Sequence, residues 1–184
     1  MAASTGGIAA LRAVLGRLDP SLPVPVLMVQ HTATEDGQAL CGVLASGSAL
    51  PVVEAEPRQP LVAGAAYLAP PGYHLLVERG PRAALSMDEK VCHVRPSADV
   101  LFESAADLWR GALIGVVLTG ANEDGAAGMS AIRGRRGLAI VQDPEEAEMR
   151  EMPEAVLRTC GADHVLRLAQ IAPLLNQLVA PVRT

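Results

Sequence analysis

The sequence predicts an α/β fold built on an open, mostly parallel sheet with helices on both faces, and three observations carry that prediction. Continuous apolar runs at residues 24–30, 113–119 and 138–141 have the length and composition of strands buried on both sides. Helical patterns, with apolar residues three and four apart, lie between and around them, at 7–18, 98–110 and 168–178. Strands that alternate with helices give a sheet covered on both faces. The 184 residues suffice for one domain, 1–184, with a full core, and no repeat, low-complexity segment or linker divides them.

Taken in order, Ile8, Leu11, Leu15 and Leu18, with Val14 beside them, set the first helix, which Asp19-Pro20-Ser21-Leu22-Pro23 breaks. The run 24–30 follows as a buried strand with His31 at its carboxyl end. A second helix carries Ala39, Leu40, Val43 and Leu44 on one face, and 51–55 is the next strand. Residues 65–69 form a short strand stopped by Pro70-Pro71-Gly72. The runs 74–78 and 82–86 flank Arg79-Gly80-Pro81 and read as an antiparallel hairpin that makes the sheet mixed. Residues 87–94 read as loop. Ser97 then caps a helix over 98–110, with Val100, Leu101, Ala105 and Leu108 inward. The run 113–119 is the strongest strand. It ends in a polar, glycine-flanked loop, 120–125, before a helix that reaches about Arg133. Residues 138–141 are a further buried strand closing in Gln142-Asp143-Pro144. A polar loop covers 145–152, Pro153 opens a helix to Cys160, and 164–166 is a last strand before the closing helix.

Composition narrows the function classes. The net charge is −5 and aromatics make up 2%, which argues against a nucleic-acid surface and against stacking of bases. Cys41, Cys92 and Cys160 are widely spaced with no Cys-x-x-Cys, the pattern of a reduced, cytoplasmic protein. No apolar run reaches membrane-spanning length, and the features of a signal peptide are missing.

In open α/β sheets, sites form at the carboxyl ends of strands. Three segments deliver polar groups there: Ala3-Ser4-Thr5-Gly6-Gly7, His31, and the 119–125 loop with Asp124. A serine hydroxyl needs a base to take its proton, a histidine suits that task, and a carboxylate fixes the histidine tautomer. Ser4, His31 and Asp124 supply these three types. The chain order differs from that of the α/β-hydrolases, and the Gly-x-Ser-x-Gly elbow is missing. Each residue also has a plainer role open to it. Ser4 or Thr5 can cap a helix, His31 can bond to backbone, and Asp124 can cap the helix beside it, with Glu123 and Asp143 as competing carboxylates. The same glycine-rich turn could instead cradle a phosphate. However, neither Gly-x-Gly-x-x-Gly nor Gly-Lys-[Ser/Thr] is present, and no basic residue precedes Arg12. As a metal site, Cys92-His93 lacks a partner pair at ligand spacing, and His74 and His164 read as ordinary polar positions.

Together, these segments resemble the catalytic domain of the bacterial chemotaxis protein-glutamate methylesterases, the CheB family. Ala3-Ser4-Thr5-Gly6-Gly7 is similar to that family's nucleophile segment, Gln30-His31 to the strand end bearing its base, and Leu118-Thr119-Gly120 through Asp124-Gly125-Ala126 to the loop bearing its acid. Ala69-Pro70-Pro71-Gly72 with His74, the stretch from Arg95 to Phe102, Gln142-Asp143 and Met152-Pro153 follow in the family's order. The resemblance implies a three-layer α/β/α sandwich and a serine esterase that cleaves glutamate γ-methyl esters on receptor proteins, releasing methanol. It also implies deamidation of some receptor glutamines. The implied roles are Ser4 as nucleophile, His31 as base, Asp124 as orienting acid, and backbone N–H groups at Thr5 and Ala121 as oxyanion donors. No metal or cofactor is implied. The partners are a methylated receptor as substrate and a possible separate regulatory protein, with no nucleic acid and no membrane embedding.

The chain departs from the family in several places. Ala121-Asn122 stands where the family has Met-Gly, a change expected to alter substrate fit or oxyanion geometry. The segment from Pro144 to Pro153 is far more acidic than the family's, and should repel an acidic receptor surface. The family's receiver domain is not among these residues. Only Met1-Ala2-Ala3 precede Ser4 where the family has a full buried strand, so a stunted central strand is expected. These departures keep open a non-catalytic regulatory or binding module that retains the fold.

Overall fold

A computed structural model describes residues 1–32 and 36–180. Its main sheet has seven strands, all parallel, in the order β3-β4-β2-β1-β7-β8-β9. These are β1 (Ala2–Ala3), β2 (Val26–Gln30), β3 (Val52–Glu54), β4 (Ala66–Leu68), β7 (Ile114–Val117), β8 (Leu138–Gln142) and β9 (His164–Leu166). The expected hairpin is present with the expected bounds, β5 (His74–Glu78) and β6 (Arg82–Ser86), but it forms a sheet of its own. It buries Leu75, Val77 and Ala83 against the core on the α3 side, and the Ser104 hydroxyl accepts the Val77 N–H at 3.1 Å. The large sheet is therefore purely parallel rather than mixed.

Among the described residues, six α-helices cover it: α1 (Gly7–Leu15), α2 (Gly37–Ala45), α3 (Ala98–Trp109), α4 (Ala126–Gly134), α5 (Glu151–Thr159) and α6 (Leu168–Val179). Alternation along the strands assigns the two layers. Ala2, Val117, Ala139 and Val141 face a core shared with α3, α4 and α5. Ala3, Val116, Leu118 and Ile140 face the opposite core, shared with α1, α2 and α6. Among the described residues, no helix is long and apolar enough to cross a membrane.

Several element readings shift for local reasons. On α2 the buried stripe is Leu40, Cys41 and Leu44, while Ala39 and Val43 turn outward. On α3, Phe102 and Ala106 are buried with Leu101 and Ala105, while Val100 and Leu108 are half-buried. Helix α5 opens at Glu151, two residues before Pro153, because a proline in the first helical turn forfeits no intrahelical bond. Only Ala2 and Ala3 form β1, fully buried, with Ala2↔Val29 and Ala3↔Gln30 on one side and Ala2↔Val117 on the other. From β1 the sheet grows outward in both directions, so the crevice at its carboxyl end is where a site is expected.

Candidate active site

Ser4 follows β1 directly. Its N–H donates to Thr119 O at 2.9 Å, and its carbonyl accepts from Gly7 N at 2.8 Å and from the Gln30 side-chain amide at 2.8 Å. Gly6, at φ 76°, turns the chain into α1 in the left-handed region that favours glycine. A side chain at Gly7 would collide with the Gln30 amide and with Ala3. That amide also donates to His31 O at 2.8 Å, so one buried glutamine ties the carbonyls of Ser4 and His31 together. The β1–β2 register (Ala3↔Gln30) sets Ser4 beside His31 at one interstrand spacing, about 4.8 Å.

His31 is joined to Asp124, with Nε2 2.8 Å from Oδ2. Asp124 is fully buried and saturated with donors. Oδ1 accepts from the Ser97 hydroxyl (2.6 Å) and Asp99 N (3.2 Å), and Oδ2 from Ala98 N (2.6 Å) as well as His31. Burial alone would push its carboxyl up, but the His31 ring, the Ser97 hydroxyl and the Ala98 N–H outweigh this and hold it below the usual carboxylate range. A carboxylate at Nε2 keeps the proton there and leaves the Nδ1 lone pair as the basic position. Asn122 stands on that side. Its Oδ1 accepts Asp124 N–H at 3.1 Å, which orients its amide nitrogen 3.4 Å from Nδ1.

Asp124 does cap a helix, though not the one beside it. It takes the first free N–H groups of α3, while Asp99, in the first turn of α3, takes Gly128 N at 2.7 Å in the first turn of α4. The two helices cap each other. His74, expected as an ordinary polar position, is buried and sets this up from the hairpin. Its Nδ1 accepts Ser97 N at 3.1 Å and its Nε2 lies 3.0 Å from Glu89 O. A continuous hydrogen-bonded path therefore runs His74–Ser97–Asp124–His31.

Burial, with Asp124 nearby, pushes the Asp99 carboxyl up to about 6. A raised carboxyl binds its proton more tightly in the folded chain than in the unfolded one. Its contribution to stability is therefore present below the ordinary value of 3.8 and is lost as pH rises through about 6. Asp99→Asn keeps an acceptor for Gly128. It is expected to raise the Tm by about 2–4 °C at pH 8 and to leave it unchanged near pH 4, as read by thermal melts at both pH values. Cys92, Asp99 and Asp124 bring ligand atoms within 4.8 Å of one another. Yet the four lone-pair positions of Asp124 are filled, and burial with the nearby carboxylates pushes the Cys92 thiol up to about 11. The cluster is a hydrogen-bonded support, and His93, exposed, stays outside it.

Among the described residues, no acceptor takes the N–H of Thr5 or of Ala121, both exposed beside Ser4 and Asp124 respectively. The Gly120 N–H, by contrast, is bonded to Met149 O at 3.0 Å. Thr119 holds the acidic segment down. Its hydroxyl lies 2.9 Å from Thr5 O and accepts Met149 N at 2.9 Å. Met152 packs beside Ser4 in the space that a side chain at Gly120 would need. A hollow of about 390 Å³ opens next to Asn122, lined by Cys92, His93, Glu123, Glu151 and Arg158. Of the competing carboxylates, Glu123 is exposed at this hollow and Asp143 is spent on a local turn, accepting Glu145 N at 3.0 Å. The roles of Gln30, His74, Asp99 and Gln142, whose Oε1 accepts Thr119 N at 2.8 Å, are not predicted by the sequence reading. The one signal in the sequence for the glutamines is a polar residue closing an apolar run.

The family model for CheB methylesterase matches residues 1–175. A curated relative from Leptospira interrogans is 40% identical over 175 residues, covering 95% of this chain and 91% of its own. The protein-glutamate methylesterase/protein-glutamine glutaminase of Symbiobacterium thermophilum is 39% identical over 176 residues, covering 96% of this chain, which spans 49% of that relative. The crystal structure of the Thermotoga maritima CheB methylesterase catalytic domain matches with a TM-score of 0.93 and 32% identity, covering 97% of this chain and 96% of that one.

Proposed function

The chain belongs to the CheB methylesterase family, and from that premise we propose that it is a protein-glutamate methylesterase working through Ser4, His31 and Asp124. The observation that carries the reading is the buried His31–Asp124 pair, set one strand over from Ser4 by the β1–β2 register. Ser4 Oγ attacks the γ-carbonyl of a methylated glutamate on a receptor protein, and His31 Nδ1 takes its proton. The oxyanion meets the unpaired N–H groups of Thr5 and Ala121. The tetrahedral centre collapses, the methoxy C–O bond breaks, and His31 returns the proton so that methanol leaves. A water molecule, deprotonated by His31, then attacks the acyl-Ser4 ester, giving glutamate and free serine. With a glutamine side chain, ammonia leaves in place of methanol. No step calls for a metal or cofactor. The cytoplasmic face of a receptor is the expected place of work, with a separate protein as the regulator.

Methanol release from receptor membranes carrying methylated glutamates, together with mass mapping of a fluorophosphonate adduct, tests this. Release with the adduct on Ser4 is the expected result, and an adduct elsewhere, or none, overturns it. A second reading, a binding module that keeps the fold without the reaction, rests on Asn122, whose amide occupies the Nδ1 side of His31. Receptor binding with no methanol and no adduct selects it.

A further inference from the structure

The acidic segment does more than lend negative charge to one edge of the sheet. It lays one carboxylate on the nucleophile turn. A side chain built on Gly6 would meet Glu148 Oε2 at 2.6 Å and Glu148 Cβ at 2.9 Å, so the Glu148 side chain occupies the space above the residue two after Ser4. The placement is held by backbone. Met149, the next residue, is pinned by its N–H to Thr119 Oγ1 (2.9 Å) and by its carbonyl to Gly120 N (3.0 Å). Among the described residues the carboxylate itself has no partner: it makes no hydrogen bond and no Lys, Arg or His nitrogen lies within ion-pairing distance, whereas Arg150 is engaged with Glu145 (3.6 Å) and Glu154 (3.7 Å). Helix α1 has no acidic residue in its first turn and no side-chain cap, so Glu148 is the negative charge at its opening.

A fixed, exposed and unpaired carboxylate beside the nucleophile acts on whatever charge the substrate carries next to its ester. A second carboxylate there is repelled and a cation is drawn in. We infer that Glu148 is a specificity-determining residue, selecting esters with a positive charge beside the scissile bond and rejecting those flanked by carboxylates. This rests on Ser4 being the nucleophile. Acid-flanked receptor sites are then slow substrates for this chain, and Lys- or Arg-flanked sites are fast ones.

The test uses two fluorophosphonates of equal size, one with a trimethylammonium group and one with a carboxylate on the arm beside phosphorus. Each forms a Ser4 Oγ–P bond as the P–F bond breaks, with fluoride leaving and the serine proton passing to His31. The wild-type chain is expected to react about 3–10-fold faster with the cationic probe at low salt, with the ratio shrinking in 1 M salt. Glu148→Gln, which preserves the packing over Gly6, brings the ratio close to one, and Glu148→Lys inverts it, with Tm values unchanged. An equal ratio in wild type and Glu148→Gln, with Ser4 still labelled, overturns the inference. Absence of Ser4 labelling by both probes overturns the esterase reading, and this inference with it.

Discussion

Ser4→Ala is expected to lower methanol release by roughly 10⁴–10⁶-fold, the scale seen when the nucleophile of a serine–histidine–acid unit is removed. The fold should not notice. Every hydrogen bond of Ser4 shown in the structure runs through its backbone: the N–H to Thr119, and the carbonyl to Gly7 and Gln30. Alanine keeps all three, and the side chain it replaces is only half-buried. The Tm of Ser4→Ala should therefore match wild type within a degree or so. The sharper measurement is the double variant. If Ser4 and His31 act as one unit, Ser4→Ala with His31→Ala is no slower than Ser4→Ala alone. A further hundredfold loss in the double variant would show that His31 serves the reaction by another route.

Asp124→Asn combines two losses that fall on different measurements. An amide nitrogen donated to His31 Nε2 moves the ring proton to Nδ1 and removes the base, at a cost in kcat of about 10⁴-fold. The amide also has one acceptor oxygen where the carboxylate has two. The N–H of Ala98, or the donors from Ser97 and Asp99, then lose their partner inside the protein, which costs about 1–3 kcal/mol of stability. The pH dependence separates the charge from the shape. A carboxylate held below its ordinary value stabilises the fold above 3.8, and that contribution is lost as pH falls through the lowered folded value. The Tm gap between wild type and Asp124→Asn should be widest near neutrality and should close in acid. A gap independent of pH would assign the whole effect to hydrogen-bond shape.

The layer architecture was legible because its signals are local. Apolar runs of the right length made strands, Ser97 announced α3, and Arg79-Gly80-Pro81 announced the hairpin. The hairpin's failure to join the sheet was not legible, since whether an edge is taken depends on what α3 offers to cover it. At the site, the residue types picked out Ser4, His31 and Asp124, and the structure joins His31 to Asp124 beside Ser4. The supporting shell was hidden. The plainer role open to Asp124, a cap for its neighbour α4, rests on adjacency in sequence, whereas the residue caps α3 from 25 to 27 residues away. Gln30, clamping two carbonyls, sits in a strand where nothing in its spacing distinguishes it from any polar residue at a strand end.

The exchanged caps of α3 and α4 also bear on how the molecule opens. The first turn of α3 cannot be shed without stripping Asp99 from Gly128 of α4, and the loop that leads into α4 cannot move without stripping Asp124 from Ala98 and Asp99. The amides of Ala98 and Gly128 should then exchange with deuterium through one shared opening, with equal free energies, rather than fraying separately as helix ends usually do. The loop that carries Asp124 is thus expected to open together with the first turn of α3 rather than on its own.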